Sequence, residues 1–389
     1  MSAATPPGEL PKPTSSERER SAALANVIRA ELHASGGVLP FARYMELALY
    51  APALGYYTGG LHKFGESGDF VTAPELGHVF ARCLARACAP ILEATDGEIL
   101  EAGAGSGALA ADLLLELERL GCLPKRYAIL ELSTELRARQ RETLQARAPH
   151  LTSRIVWLDS LPSSGFRGVL LANELLDALP VERFRIRNGN VVRLGVGNDD
   201  GQFVWCELPA SAGLTTRVQA LALSEGYESE VGLAAEAWVR SAADALEHGV
   251  LLFIDYGFPR GEYYHPDRTT GTLMCHRRHR AHADPLIIPG LQDITAHVDF
   301  SAIATAGREA GLEVLGYTSQ AMFLLGGGLD EVAAALMTGD DRTRLTVANE
   351  IKKLTMPQEM GELFKVMALG RGVTTPLRGF AMQDRRGRL

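Results

Sequence analysis

Apolar and polar residues follow two different periods along this chain, and the places where the period changes mark its organisation. Leu24, Val27, Ile28 and Leu32 recur at helical spacing and predict an amphipathic helix ending near Gly36 and Gly37. A second helix is expected over about residues 41–49. A third is expected over 75–89, where Leu76, Val79, Phe80, Cys83 and Leu84 supply an apolar face. Between them, APALGYYTGGLHKFGESGDFVTAPE carries glycines, prolines and aromatics that suit a shaped loop. From residue 98 onward, short apolar runs are separated by amphipathic stretches. EILEA, YAILEL at 127–132, IVWL and GVLLAN read as strands, with helices over ALAADLLLELERLG and STELRARQRETLQARA. Continuous apolar strands alternating with helices predict a parallel sheet covered on both faces.

After Pro180 the period falls to two. VERFRIRNGNVVRLGV and FVWCEL read as antiparallel strands with a turn at Asn188-Gly189-Asn190, and residues 228–247 read as helix. VLLFIDYG at 250–257 resumes the parallel pattern, a helix is expected over 298–310, and LEVLGYTS and FKVMALG are expected as antiparallel edge strands. The fold class is therefore α/β, a mostly parallel sheet with an amino-terminal helical extension and an inserted α+β lobe. The expected boundaries are a flexible tail (1–20), a helical extension and ligand cover (21–95), the first part of the main domain (96–180), an inserted lobe for substrate or partner (181–248), and the completion of the main domain (249–389).

A length of 389 residues exceeds one ordinary domain, which fits a catalytic domain with an insertion. The formal charge of -8 gives no overall basic footprint, so no nucleic-acid partner is expected, although RRHR at 277–280 is a local basic patch. Five irregularly spaced cysteines suit reduced thiols rather than a disulfide framework. No apolar run is long enough to span a bilayer, and the opening MSAATPPGELPKPTSSERER lacks the apolar stretch of a secretory signal. No membrane insertion is expected; the expected location is the cytoplasm in a bacterium, with the mitochondrial matrix open for a eukaryotic source. CHRRHRAHADP brings Cys275, His276, His279 and His282 close in sequence, but without closed zinc-site spacing and with arginines that oppose a cation, so no metal is expected.

The candidate chemistry begins at GAGSG. Gly103 permits a sharp exit from the strand, Gly105 leaves room for a ligand, and Gly107 allows close approach where a helix starts and its backbone N–H groups are free. Glu131, at the end of the next strand, can accept from both ribose hydroxyls of an adenosine group, and Asp159 after the third strand can accept from an adenine amino group. The same topology serves dinucleotides, so a nicotinamide enzyme stays open, and the alternative of a plain tight turn with solvated acids stands beside both. No phosphate-loop motif is present in the sequence.

Asn173 and Glu174 fall at the end of GVLLAN, and Glu174 and Asp177 share a face if a short helix follows. Two carboxylates there can orient a cationic acceptor, a guanidinium fork in particular, while a helix cap and a solvated acid are an equal reading. Asp69, Phe70, Thr72 and Glu75 can cover a ligand from the amino-terminal side or simply form a turn and cap. Asp255 and Tyr256 can line the pocket or end a strand.

These pieces in their order resemble the MidA family of S-adenosylmethionine-dependent methyltransferases, whose mitochondrial counterpart is an arginine methyltransferase in complex I assembly. The resemblance spans nearly the whole chain after the tail and rests on LALYAPALGYYTGG, FGESGDFVTAPELG, EILEAGAGSG, NELLDALP, IDYGF and TAHVDF. It implies a class I, Rossmann-like fold and an S-adenosylmethionine pocket formed by Glu101, the Gly103–Gly107 turn, Glu131 and Asp159, covered by Gly65, Asp69, Phe70, Thr72 and Glu75. It further implies Asn173, Glu174 and Asp177 near the acceptor, with Tyr56, Asp255, Tyr256 and His297 as substrate-pocket residues. The implied partner is a protein acceptor, with a complex I core-subunit homologue as one candidate; a homodimer is also open. An assembly or interaction protein with a residual cofactor pocket is the reading from a different functional class.

Overall fold

The computed structural model describes residues 10–59 and 72–389. Seven strands make the main sheet: β1 (Glu98–Ala102), β2 (Tyr127–Leu130), β3 (Ile155–Leu158), β4 (Phe166–Asn173), β5 (Leu246–Phe258), β6 (Glu313–Ser319) and β7 (Phe364–Arg371), in spatial order β3-β2-β1-β4-β5-β7-β6. The two-residue strand Val298–Asp299 adds to the end of β5. Strands β1 to β5 are mutually parallel. Only β7 is reversed; it pairs antiparallel with both β5 and β6, so β6 runs with the parallel set. The expected pair of antiparallel edge strands is thus corrected to one reversed strand inside the sheet. Burial explains the placement, since seven of the eight β7 residues are buried, whereas β6 opens on exposed Glu313 and suits an edge.

Eight longer helices accompany these strands: α1 (Ser15–Ala34), α2 (Phe41–Tyr50), α3 (Val79–Thr95), α4 (Ala108–Arg119), α5 (Thr134–Arg147), α6 (Leu233–Ala245), α7 (Phe300–Glu309) and α8 (Asp341–Thr355). The central strands are apolar on both faces because each face meets a helical layer. Val169, Leu171, Val250 and Leu252 face Phe80, Leu84 and Leu113 of α3 and α4. Leu170, Ala172, Leu251 and Phe253 face Val239, Ala243 and Ile303 of α6 and α7. Each large aliphatic side chain buried this way contributes about 1.5–3 kcal/mol.

The structure departs from the sequence expectations at further points along the chain. Residues 15–20 belong to α1 rather than to a mobile tail, because Thr14 and Glu17 form a reciprocal capping box, Thr14 N–H donating to Glu17 Oε2 at 2.7 Å and Glu17 N–H to Thr14 Oγ1 at 3.3 Å. Within α1, Leu24, Ile28 and Leu32 are buried and Val27 is exposed. The helix expected over 75–89 is instead a short turn, Ala73–Leu76, followed by α3. Gly77 breaks it: a Cβ there would lie 2.2 Å from Glu350 Oε2, and Glu350, reaching across from α8, accepts from Val79 N–H at 2.6 Å. The helix expected over 228–247 divides into a lobe strand, Glu228–Val231, and α6. The apolar stripe of α6 packs on the main sheet, so the last helix of the expected 181–248 lobe lies in the main domain's layer.

The lobe itself is an antiparallel sheet of Glu182–Arg187, Asn190–Asp199, Gln202–Pro209 and Glu228–Val231, joined by Leu39–Pro40 from the amino-terminal extension. Its hairpin turns at Asn188 and Gly189, both at positive φ as a two-residue turn requires. A third sheet, Met274–Arg277 flanked by Arg280–His282 and Asp293–Thr295, packs against α1 and α2 and sets Asp293 opposite His276. Among the described residues no helix is long and apolar enough to cross a membrane.

Candidate functional site

A cavity of about 880 Å³ opens at the carboxyl ends of β1, β2 and β4, within the range of roughly 300–1,000 Å³ usual for small-molecule sites. That edge is where open parallel sheets bind ligands. Its first half is the glycine bend. Gly103, Gly105 and Gly107 all have positive φ, and a Cβ on Gly107 would meet Gln140 Cα at 3.1 Å. Gln140 is completely buried and ties three parts together: its Nε2 donates to Gly105 O at 3.1 Å and to Glu131 Oε2 at 3.1 Å, and its Oε1 accepts from Trp157 Nε1 at 2.9 Å. Glu131 Oε1 accepts from Ser133 N–H at 2.9 Å, and the Ser133 hydroxyl in turn caps α5 by accepting from Leu136 N–H at 3.3 Å. The bend and the acid are therefore one rigid unit. Sequence reasoning missed Gln140, although its place between Leu136 and Leu144 on one helical face made it a polar residue in an apolar stripe.

Glu101 also lines the cavity; Tyr127 donates to its Oε2 at 2.7 Å, while burial pushes its carboxyl up to about 7. Thr72 and Glu75 line the side, and the Ser106 hydroxyl of the bend donates to Glu75. Gly65, Asp69 and Phe70 lie outside the described residues. Asp159 is not brought to the cavity lining: its side chain is 89% exposed and pairs at 2.7 Å with Arg137, whose guanidinium also binds the Glu131 and Leu158 carbonyls. Leu132, 74% exposed, lines the cavity near that edge instead.

The second half is built where β4 ends. Asn173, Glu174 and Asp177 all line the cavity, but no helix follows the strand. Glu174 takes φ +51, outside the right-handed helical region, and its N–H donates to Ile254 O at 2.9 Å. Leu176 and Asp177 N–H groups then donate to Asp255 Oδ2 at 2.8 and 3.3 Å, and Tyr256 N–H to Asp255 Oδ1 at 2.9 Å. Asp255, buried behind the lining, thus organises the turn that presents the other two acids. Tyr256 does line the cavity, backed by the His297 ring stacked at 6.0 Å. His297 itself lies outside the cavity, and burial pushes it down to about 4, which leaves it neutral. Tyr56 is fully buried in the amino-terminal core, and the neighbouring Tyr57 reaches the cavity in its place.

Electrostatics in this half are one-sided. Burial, reinforced by Asp177, pushes Glu174 up to about 8, and burial with the Asp255 and Asp293 charges pushes Asp177 well above the usual carboxylate range. Among the described residues no lysine or arginine pairs with Glu174 or Asp177. Asn173 Nδ2 donates to Glu174 Oε1 at 3.2 Å, while Asn173 Oδ1 is buried and has no partner among the described residues. A wall where Glu174 and Asp177 meet no lysine or arginine among the described residues, beside the Asn173 acceptor, suits a cationic ligand with N–H donors. Asp293, Tyr50 and Tyr57 line the same half and were not found from sequence, since no strand-end or glycine signal marks them. Among the described residues no group of three or more His, Cys, Asp and Glu is placed to hold a metal ion.

Residues 83–318 match a protein family described as "Putative S-adenosyl-L-methionine-dependent methyltransferase". The mitochondrial protein arginine methyltransferase NDUFAF7 of Danio rerio is 30% identical over 370 residues, covering 86% of this chain and 83% of that protein. Its Drosophila melanogaster homolog is 28% identical, covering 95% and 89%. A crystal structure of a COG1565 superfamily member from Burkholderia thailandensis, bound to S-adenosyl-homocysteine, is similar at a TM-score of 0.95 and 50% identity, covering 98% of this chain and all of that one.

Proposed function

Since the chain belongs to this family of S-adenosyl-L-methionine-dependent methyltransferases and uses that cofactor, we propose that its acceptor is a guanidinium nitrogen of an arginine on a protein. One observation carries the proposal: Glu174 and Asp177 are held at the cavity wall, and among the described residues no lysine or arginine pairs with either. The arginine methyltransferases among the relatives support the same acceptor.

The residues present fit the cofactor. The Gly103–Gly107 bend leaves backbone N–H groups at the start of α4, Glu131 is oriented to accept ribose hydroxyls, and Thr72 and Glu75 close the side. Asn173 Oδ1 is an acceptor that a bound ammonium or guanidinium group would satisfy. When bound, S-adenosylmethionine supplies a methyl carbon made electrophilic by its sulfonium. The chain supplies orientation, which is worth much of the barrier in a direct displacement. Glu174 and Asp177 hold the guanidinium edge and bias one nitrogen toward the methyl carbon. A nitrogen–carbon bond forms as the carbon–sulfur bond breaks, the sulfur keeps the electron pair, and the surplus nitrogen proton passes to Glu174, whose affinity near pH 8 suits a proton acceptor.

A respiratory complex I core-subunit homologue is the acceptor protein we would test first. The chain is incubated with isotopically labelled S-adenosylmethionine and candidate proteins, and the label is localised by mass spectrometry. Methylarginine is the expected product. Label confined to lysine, or no transfer while cofactor binding persists, refutes the reading.

A further inference from the structure

Tyr57 and Asp293 bring to the acceptor wall a carboxylate that the main sheet does not supply. Both line the cavity with Glu174 and Asp177, yet Tyr57 follows α2 and Asp293 opens the strand Asp293–Thr295 of the third sheet. Asp293 is 3% exposed, and the Tyr57 hydroxyl donates to its Oδ1 at 2.9 Å. The Tyr57 ring stacks on Tyr50 with centroids 5.5 Å apart, and the Tyr50 hydroxyl donates to Ala178 O at 2.9 Å, one residue beyond Asp177. Ala296 N–H donates to Asp177 O at 3.0 Å, so the strand carrying Asp293 is fastened to the turn carrying Asp177. These bonds fix Asp293 within electrostatic reach of both acids, and its charge is one cause of their raised proton affinity.

The number and spread of acceptors bear on which cation fits. A guanidinium is flat and carries five N–H donors around its edge, so it is best met by acceptors coming from more than one side. An ammonium is a compact charge with three donors and is served by one close carboxylate cluster. Carboxylates from the sheet-edge turn and from the third sheet give the first arrangement. We propose that Asp293, oriented by Tyr57, is the third carboxylate of the acceptor site and selects a guanidinium over an ammonium group. This rests on the arginine reading and adds the residue that enforces it.

The test is steady-state kinetics on an arginine-containing acceptor peptide and its lysine counterpart, alongside calorimetric binding of S-adenosyl-homocysteine. Asp293→Asn keeps an oxygen for the Tyr57 hydroxyl and removes the charge. Loss of one charge-assisted contact predicts a rise in KM for the arginine peptide of about 10-fold to 100-fold, with a comparable fall in arginine-over-lysine preference and unchanged S-adenosyl-homocysteine affinity. Tyr57→Phe leaves the charge but removes the hydrogen bond that orients it, so KM for the arginine peptide should rise by about 3-fold to 10-fold with kcat and S-adenosyl-homocysteine affinity unchanged. Unchanged KM and preference in Asp293→Asn, with a wild type that methylates arginine, overturns the inference and leaves the arginine reading intact. Equal losses of cofactor and acceptor affinity overturn it too. A wild type that makes no methylarginine removes both. Should Asp293→Asn fail to fold, Tyr57→Phe decides alone, and an unchanged KM for the arginine peptide counts against the proposal.

Discussion

Glu131→Gln separates a cofactor contact from a structural one more sharply than a deletion would. The two carboxylate oxygens accept from different donors, Ser133 N–H at 2.9 Å and Gln140 Nε2 at 3.1 Å. A glutamine offers one acceptor and one NH2, so in either orientation a donor faces a donor. Gln140 cannot rotate to relieve this, because its amide nitrogen also serves Gly105 O and its oxygen serves Trp157. One buried donor left unmet costs about 1–3 kcal/mol, or a fall in Tm of about 1–4 °C for a chain of this size. The cofactor effect comes on top. Replacing an ionised acceptor of ribose hydroxyls by a neutral one removes about 1.5–3 kcal/mol, which weakens S-adenosyl-homocysteine binding by roughly 10-fold to 100-fold. Calorimetric titration with S-adenosyl-homocysteine and thermal melts with and without it measure both parts. A variant that melts lower but binds within about threefold of wild type would refute the ribose assignment and leave Glu131 as a brace for the bend.

Other substitutions probe the rest of the site. Gly107→Ala places a methyl group 3.1 Å from Gln140 Cα at a φ of +83, so a loss of about 1–2 kcal/mol in denaturant unfolding and weaker cofactor binding are expected; wild-type values for both would show the bend tolerates a side chain. Asp255→Asn sets an NH2 against one of the three backbone N–H groups its carboxylate now receives, so the turn carrying Glu174 and Asp177 should shift and transfer should fail while S-adenosyl-homocysteine still binds. The pH dependence has a definite sign. Glu174 holds its proton to about pH 8 in the folded chain but loses it near 4.5 when unfolded, so over that window the unfolded state binds fewer protons and stability without acceptor falls as pH rises. Acceptor binding reverses the balance: kcat/KM should climb toward pH 8 with proton release on binding, and Glu174→Gln should flatten both trends.

Periodicity made the sheet legible because β4 and β5 are apolar on both faces and had to lie between helical layers. It could not place β7 between β5 and β6, since two apolar strands near the end of the chain read alike until pairing is seen. The break before α3 was hidden for a similar reason: Glu350 of α8 makes it, and no local pattern announces a partner so far along the chain. The Thr14 to Glu17 box, by contrast, was a local signal, and the proline-rich run before it masked a helix that starts at Ser15. In the site, glycines and strand ends pointed to the bend, Glu131, Glu174 and Asp177, all of which line one cavity. Asp255 was expected at the pocket wall but lies behind the lining, where its carboxylate accepts backbone N–H groups of the turn, a contact that sequence does not show. Asp293 and Tyr57 come from separate sheets and loops, so only the folded arrangement brings them together.

The most direct test is a crystal structure of the chain with S-adenosyl-homocysteine and an arginine peptide bound together. The predicted result has the thioether sulfur beside the Gly103–Gly107 bend and the guanidinium within hydrogen-bond distance of Glu174 and Asp177, one nitrogen aimed at the sulfur. A guanidinium bound elsewhere, with those two acids facing only solvent or each other, would contradict the account.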